Sequence, residues 1–179
     1  MSLAHLRDSA IVLRCWSPSD AEWYARCARD AEIQRFTSDP SNLTAADVVA
    51  AISVLSSDPR REGFLVADAR TGSRLGNISL EHADRTGEIS YWVAAEARGR
   101  GVAHRALALL TRWAFAHLDL QVIRLWTHAD NAPSRAAAER AGFTRNRSGD
   151  RLRAVKGEVW PTVAYELRRR TADSTAPPP

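Results

Sequence analysis

A chain of 179 residues can bury one substantial core and is too short for two ordinary ones, so a single domain is expected over residues 1–170. Its 25 Lys and Arg against 21 Asp and Glu leave a formal charge of +4, an excess that favours anionic ligands without the concentrated basic stripe of a duplex binder. Arg145, Arg147, Arg151 and Arg153, and Arg168 to Arg170, are the densest basic places and read as a solvated rim beside an anionic ligand. Cys15 and Cys27 lack metal-ligand spacing and a nearby His, so no metal site and no disulfide framework is expected, only reduced packing residues. No apolar run reaches membrane-span length, and Met1 to His5 lacks the basic and apolar regions of a signal peptide. These features predict a cytoplasmic protein, monomer or homodimer, with neither membrane nor nucleic acid as partner.

In chain order, Ile11 to Arg14 reads as a strand, and Ser17-Pro18-Ser19-Asp20 supplies a cap, a first-turn proline and an early carboxylate for a helix. Ala21, Tyr24, Ala28 and Ala31 recur along that helix at helical spacing. Phe36 to Ser41 is turn-rich. A capping box at Thr44 to Asp47 starts a second helix with Val48, Ala51, Ile52 and Leu55 on one face. Phe64 to Ala67 and Leu75 to Leu80, separated by Thr71-Gly72-Ser73, read as an antiparallel hairpin, and Glu88 to Val93 as a further strand. After a glycine-rich turn, Ala103, Ala106, Leu107, Leu110, Ala114 and His117 mark a long amphipathic helix. A strand at Val122 to Thr127, a short helix from Pro133 to Ala141 closed by Gly142, and strands near Leu152–Val155 and Thr162–Leu167 complete the order. Residues 171–179 read as a disordered Pro-rich tail.

The chemistry concentrates in Arg98-Gly99-Arg100-Gly101-Val102-Ala103, between an apolar strand and an amphipathic helix. Alternate glycines let the backbone turn with its N–H groups inward, and the helix start adds free N–H groups and a positive dipole end. Such a turn cradles an anion and suits a pyrophosphate, with Arg98, Arg100 and Arg105 at the rim. The dinucleotide fingerprint fails, because His104 stands where its third glycine would be, and no Gly-Lys-Ser/Thr completes a Walker motif. Taken alone, the two glycines could also serve only as a strand-to-helix turn.

The hexapeptide resembles the R/Q-x-x-G-x-G/A signature of the GNAT acetyltransferase superfamily. Asn131-Ala132-Pro133-Ser134 followed by Glu139-Arg140-Ala141-Gly142-Phe143 resembles the superfamily's second cofactor segment, N-x-x-S then E-R-x-G-F. Upstream, Leu13-Arg14-Cys15-Trp16, Asp20-Ala21-Glu22, Glu32 to Phe36 and Glu88 to Val93 are similar to the RimJ/RimL type within it. The likeness runs from about Ile11 to Leu167. It implies an α/β (α+β) GNAT fold: a central, mixed but mostly antiparallel twisted sheet of about six to seven strands flanked by about four helices.

It further implies transfer of an acetyl or longer acyl group from acetyl-coenzyme A to a primary amine by direct attack where two strands splay apart. The acceptor would be a protein N-terminus or a small-molecule amine. Backbone groups of Tyr91, Trp92 and Val93 would pair with the pantetheine arm, and Arg98, Gly99, Arg100, Gly101, Val102, Ala103 and His104 would enclose the pyrophosphate. A backbone N–H near Val93 would polarise the thioester oxygen. By the same resemblance Ser134 is the acid for the leaving thiolate, its other reading being a helix cap. Where many relatives carry a Tyr four residues beyond that Ser, this chain has Ala138, so a Tyr acid at that place does not carry over. Glu88 is the foremost candidate base, with His128, Glu81 or water behind it; the alternative is that Glu88 pairs with an Arg and only shapes the sheet. Asn131 would bridge the splayed strand and the pantetheine, or cap the helix. A coenzyme-binding module without catalysis, and a basic nucleic-acid binder, remain as competing readings; the second lacks regular aromatic spacing for stacked bases. Acceptor contacts are expected from Phe36–Ser41, Glu81–Thr86 and Lys156–Trp160.

Overall fold

A computed structural model describes residues 6–170. The expected tail, 171–179, lies outside the described residues. One sheet of 8 strands runs through the described part: β1 (Ile11–Cys15), β2 (Arg61–Asp68), β3 (Arg74–Ala83), β4 (Thr86–Val93), β5 (Val122–His128), β6 (Thr144–Arg145), β7 (Arg151–Val155) and β8 (Glu158–Arg168). The spatial order is β1-β2-β3-β4-β5-β8-β6, with β7 on β8. Every pairing is antiparallel except β4 with β5. Helices α1 (Ala21–Cys27), α2 (Ala31–Phe36) and α3 (Ala45–Ser57) precede β2, α4 (Val102–His117) follows β4, and α5 (Ala132–Arg140) follows β5.

The sheet is the mixed, mostly antiparallel one expected, with β6, a two-residue strand too short to carry a period, added to it. The extra helix arises where one was expected from Ser17 onward. Ser17 caps only a 3-10 turn, Pro18–Asp20, through a reciprocal capping box. The chain then breaks at Asp30, whose extended backbone and side chain, accepting from the Glu32 and Ile33 amides, start α2 afresh. Local capping there outweighs the continuous apolar stripe. Thr44 and Asp47 form the expected capping box of α3.

Alternation along the strands sorts the two faces of the sheet. Ile78, Leu80, Ile89, Ile123, Leu125 and Tyr165 pack with Ala106, Leu107, Leu110 and Ala114 of α4 in the main core. Each fully buried Leu or Ile there is worth about 1.5–3 kcal/mol. On the other face, Leu65, Ala67 and Trp92 pack with Trp23 and Ile33 of α1 and α2. Near this second cluster Asp20, fully buried, takes hydrogen bonds from Arg14 at 2.7 and 2.8 Å, Arg74 at 2.7 Å and the Ser17 amide at 3.0 Å.

Candidate functional site

The parallel pairing of β4 with β5 lasts only from Thr86↔Val122 to Glu88↔Arg124. Beyond it β4 stays on β3 as far as Gly76↔Val93, and β5 stays on β8 as far as His128↔Thr162. The stretches Ile89 to Val93 and Leu125 to His128 therefore face one another with no ladder between them, and a gap opens in the middle of the sheet.

At the head of that gap the chain turns through Arg98 to Gly101 into α4. Gly99 and Gly101 both hold φ +74, the left-handed region that costs a side-chain-bearing residue about 1–2 kcal/mol. A Cβ on Gly101 would stand 2.8 Å from the His104 ring, so with glycine here the turn closes over that imidazole without displacing it. No side chain caps the first turn of α4, which leaves its N–H groups and positive dipole end for an external acceptor. Arg98 reaches the cavity here while ion-paired with Asp30, and Arg100 turns aside toward Asp68 at 3.8 Å. Arg105 pairs with Asp8 at 2.9 Å.

Across the gap, Asn131 caps α5, its side-chain oxygen accepting from the Ser134 amide at 3.1 Å. With Asn131 as the cap, Ser134 lies inside the helix and its hydroxyl meets the Tyr91 hydroxyl at 2.8 Å; Tyr91 also lies 3.1 Å from the Ser134 carbonyl. Burial pushes the Tyr91 phenol up to about 12, against the opposing hydrogen bond with Ser134, so it stays protonated at neutral pH. The motifs point to the backbone of Tyr91 and not to its side chain. Strand alternation carried the missing signal, because it sets Tyr91 on the α4–α5 face and Glu88, Ser90 and Trp92 on the other.

On that other face Glu88 accepts a hydrogen bond from the Trp126 indole at 2.9 Å, and no ion pair to an Arg is formed among the described residues. Glu81, opposite Glu88 on β3, is ion-paired with Arg61 at 3.2 Å and lies off the cavity. His128 is also off the cavity, its Nδ1 accepting from the Asp130 amide at 3.1 Å between the rings of Phe36 and Trp160. Of the three loops expected to meet an acceptor, Phe36 to Asp39 lines the cavity. The Glu81–Thr86 turn closes the far end of the β3–β4 hairpin, and Lys156 is occupied with Gln34, at 3.0 Å to its carbonyl and 2.9 Å to its side chain.

One cavity of about 970 Å³ joins these parts. Gly99, Gly101, His104, Asn131 and Ser134 line it on the α4–α5 side, and Phe36, Asp39, Ser79 and Glu88 on the other. Arg140 lines it too, a residue the motif contains but spacing alone assigned to no role. Among the described residues no cluster of His, Cys, Asp and Glu is placed to hold a metal ion.

A strand-to-helix anion turn, beside a sheet opened between two parallel strands, is the arrangement that the GNAT resemblance implies for an acyl-transfer protein. The family model "Acetyltransferase (GNAT) domain" matches residues 10–144, and the chain belongs to that family, whose members are acetyl-coenzyme A dependent N-acetyltransferases. YdaF of Bacillus subtilis (strain 168), provisionally named a ribosomal N-acetyltransferase, is 29% identical over 170 residues, covering 89% of this chain and 92% of its own. Two solved structures show the same fold. Spermidine N-acetyltransferase from Vibrio cholerae, in complex with CoA and spermine, superposes with TM-score 0.79 at 18% identity, over 90% of this chain and 96% of that one. Mycobacterium smegmatis RimJ, in complex with CoA-disulfide, gives 0.78 at 23%, over 88% and 81%.

Proposed function

We propose that the protein transfers the acetyl group of acetyl-coenzyme A to a primary amine by direct attack within a ternary complex. The observation that carries this reading is the single cavity through the β4–β5 gap, which connects the Arg98–His104 turn to the face bearing Glu88. The residues present fit the coenzyme. Left-handed Gly99 and Gly101 with the uncapped start of α4 suit a diphosphate, Arg98 and Arg140 add positive charge, His104 lines the same turn, and the unpaired edge of β4 suits an extended amide-bearing arm. Coenzyme A supplies the acyl group as a thioester.

The two proton tasks fall on opposite faces of β4. Glu88, on the face toward α1–α3, takes the proton of the incoming ammonium at its carboxylate through a chain of water. Backbone amides on the open edge of β4 near Val93 polarise the carbonyl oxygen as charge develops. Ser134 Oγ, supported by the neutral Tyr91 phenol, offers its hydrogen to the departing sulfur. Asn131 holds Ser134 in place through the helix cap.

The acceptor is the amine of a protein N-terminus or of a small molecule, as the names of YdaF and the Vibrio enzyme suggest for those proteins, and the reaction takes place in the cytosol. Incubation with acetyl-coenzyme A and a panel of peptides, polyamines and amino sugars, with free thiol as readout, tests the reading. Amine-dependent thiol release is expected. Tight coenzyme binding without release on any amine would replace the enzyme by a coenzyme-binding module.

A further inference from the structure

A second cavity, of about 280 Å³, opens on the same face as Glu88, between β4–β5 and the segment from Asn146 to Arg153. Three arginines line it, Arg124, Arg151 and Arg153, against one acidic residue, Glu88. Nothing in the acetyl-transfer reading uses these arginines.

Their hydrogen bonding is incomplete. The guanidinium of Arg153 lies over the Trp126 ring, 4.5 Å from its centroid, and its Nε is buried without a partner. Arg124 makes no hydrogen bond or ion pair among the described residues, and Arg151 bonds only the carbonyls of Ser148 and Asp150, each at 2.7 Å. The neighbouring acids are committed elsewhere: both oxygens of Asp150 to Arg145 at 2.6 Å, and Glu166 to Asn146 and Arg168 at 2.9 Å each. Glu88 is bonded by the Trp126 indole. An unmatched donor beside several positive charges in a concave site calls for an anionic acceptor, and the planar fork of Arg matches a carboxylate better than a point charge would.

Position identifies whose carboxylate it is. Glu88 and Trp126 line both cavities, so a ligand entering the larger one from this face borders the arginines. Glu88 precedes Tyr91 by three residues on β4, about 10 Å at the rise of a strand, which an extended peptide covers in about three residues. We infer that the smaller cavity is an acceptor subsite, in which Arg124 and Arg153 bind a carboxylate carried about two or three residue lengths from the reacting nitrogen. The inference rests on the acetyl-transfer reading and narrows it: the preferred acceptor is an amine with an acidic group at that span.

The carboxylate can belong to an acidic side chain in a peptide or to the chain end of a short acceptor, and matched pairs separate the two. Tetrapeptide amides with Glu or Gln in the second or third place form one arm, and a tripeptide with a free or an amidated end forms the other. In kcat/KM the wild type should favour the acidic member of a pair by about ten- to a hundred-fold, the scale of a charged hydrogen-bonded contact. The preference should sit mainly in KM and shrink with added salt. Arg153→Gln and Arg124→Gln should each reduce the acidic-to-neutral ratio toward one, with Arg153→Lys retaining part of it. Arg124 is exposed, so its variant keeps the fold even where replacing Arg153 disturbs Trp126. Neutral peptides acetylated as well as acidic ones, or a preference unmoved in Arg124→Gln, would overturn the subsite while leaving the transferase. No thiol release on any peptide would remove the subsite alone, and none on peptides, polyamines and amino sugars together would remove both.

Discussion

The hydroxyls of Tyr91 and Ser134 lie 2.8 Å apart, joining β4 to α5 across the gap where the sheet is unpaired. Together they place a neutral hydrogen-bond donor on the coenzyme side of that gap. Ser134→Ala should lower kcat by about ten- to a thousand-fold with little change in coenzyme affinity, whereas Tyr91→Phe, which leaves the Ser134 hydroxyl present, should lower it less. Turnover set beside calorimetric affinity distinguishes the two. Parallel losses of rate and affinity in Ser134→Ala would assign the pair to positioning.

Glu88 and its partner Trp126 allow a clean test of the base, because Gln at position 88 still offers an oxygen to the indole. A lysine-like or polyamine nitrogen has a pKa of about 10 and an α-amine about 8, so the former depends far more on a base at neutral pH. Glu88→Gln should slow a high-pKa amine strongly and an α-amine weakly, and the deficit should close as pH rises toward the amine's own pKa. Rate profiles from about pH 6 to 10 measure it. Profiles that stay parallel to the wild type would leave deprotonation to water.

Gly101 offers a test of the cradle. A side chain there would meet a left-handed backbone and push the movable His104 ring aside, and a carboxylate would stand where a diphosphate is expected. Gly101→Glu should abolish coenzyme binding in calorimetry while the circular dichroism spectrum persists. Retained affinity would move the binding site elsewhere.

A stability prediction concerns Asp20. Burial alone would raise its pKa, but the hydrogen bonds from Arg14 and Arg74 and from the Ser17 amide outweigh that and hold the carboxyl well below the usual carboxylate range. A lowered folded-state pKa adds stability above the ordinary value near 4, and that stability is lost as pH falls toward the folded-state value. Asp20→Asn should cost about 1–3 kcal/mol at neutral pH, or about 2–12 °C in Tm. Thermal melts should show the gap between variant and wild type narrowing below about pH 4. A gap of constant size down to about pH 2 would mean that packing, and not charge, sets the cost.

Much of this protein was legible locally. The glycines of the Arg98–Gly101 turn, the capping box at Thr44 and the cap at Asn131 are short-range devices, in which residue types and spacing already determine the backbone they need. The break at Asp30 was missed because two local signals competed, a continuous apolar stripe and a cap, and the cap prevailed. The site depended on residues far apart in the chain. Whether Ser134 caps a helix or faces the gap, whether Glu88 meets an Arg or Trp126, and whether Arg100 faces the cradle or Asp68 are questions of which strand lies beside which. That is decided by where the β4–β5 ladder stops, at Glu88↔Arg124, while β3 and β8 go on pairing with the outer edges of the two strands. No window of the sequence contains that arrangement, since its partners come from opposite halves of the chain and meet only once the core between them is packed.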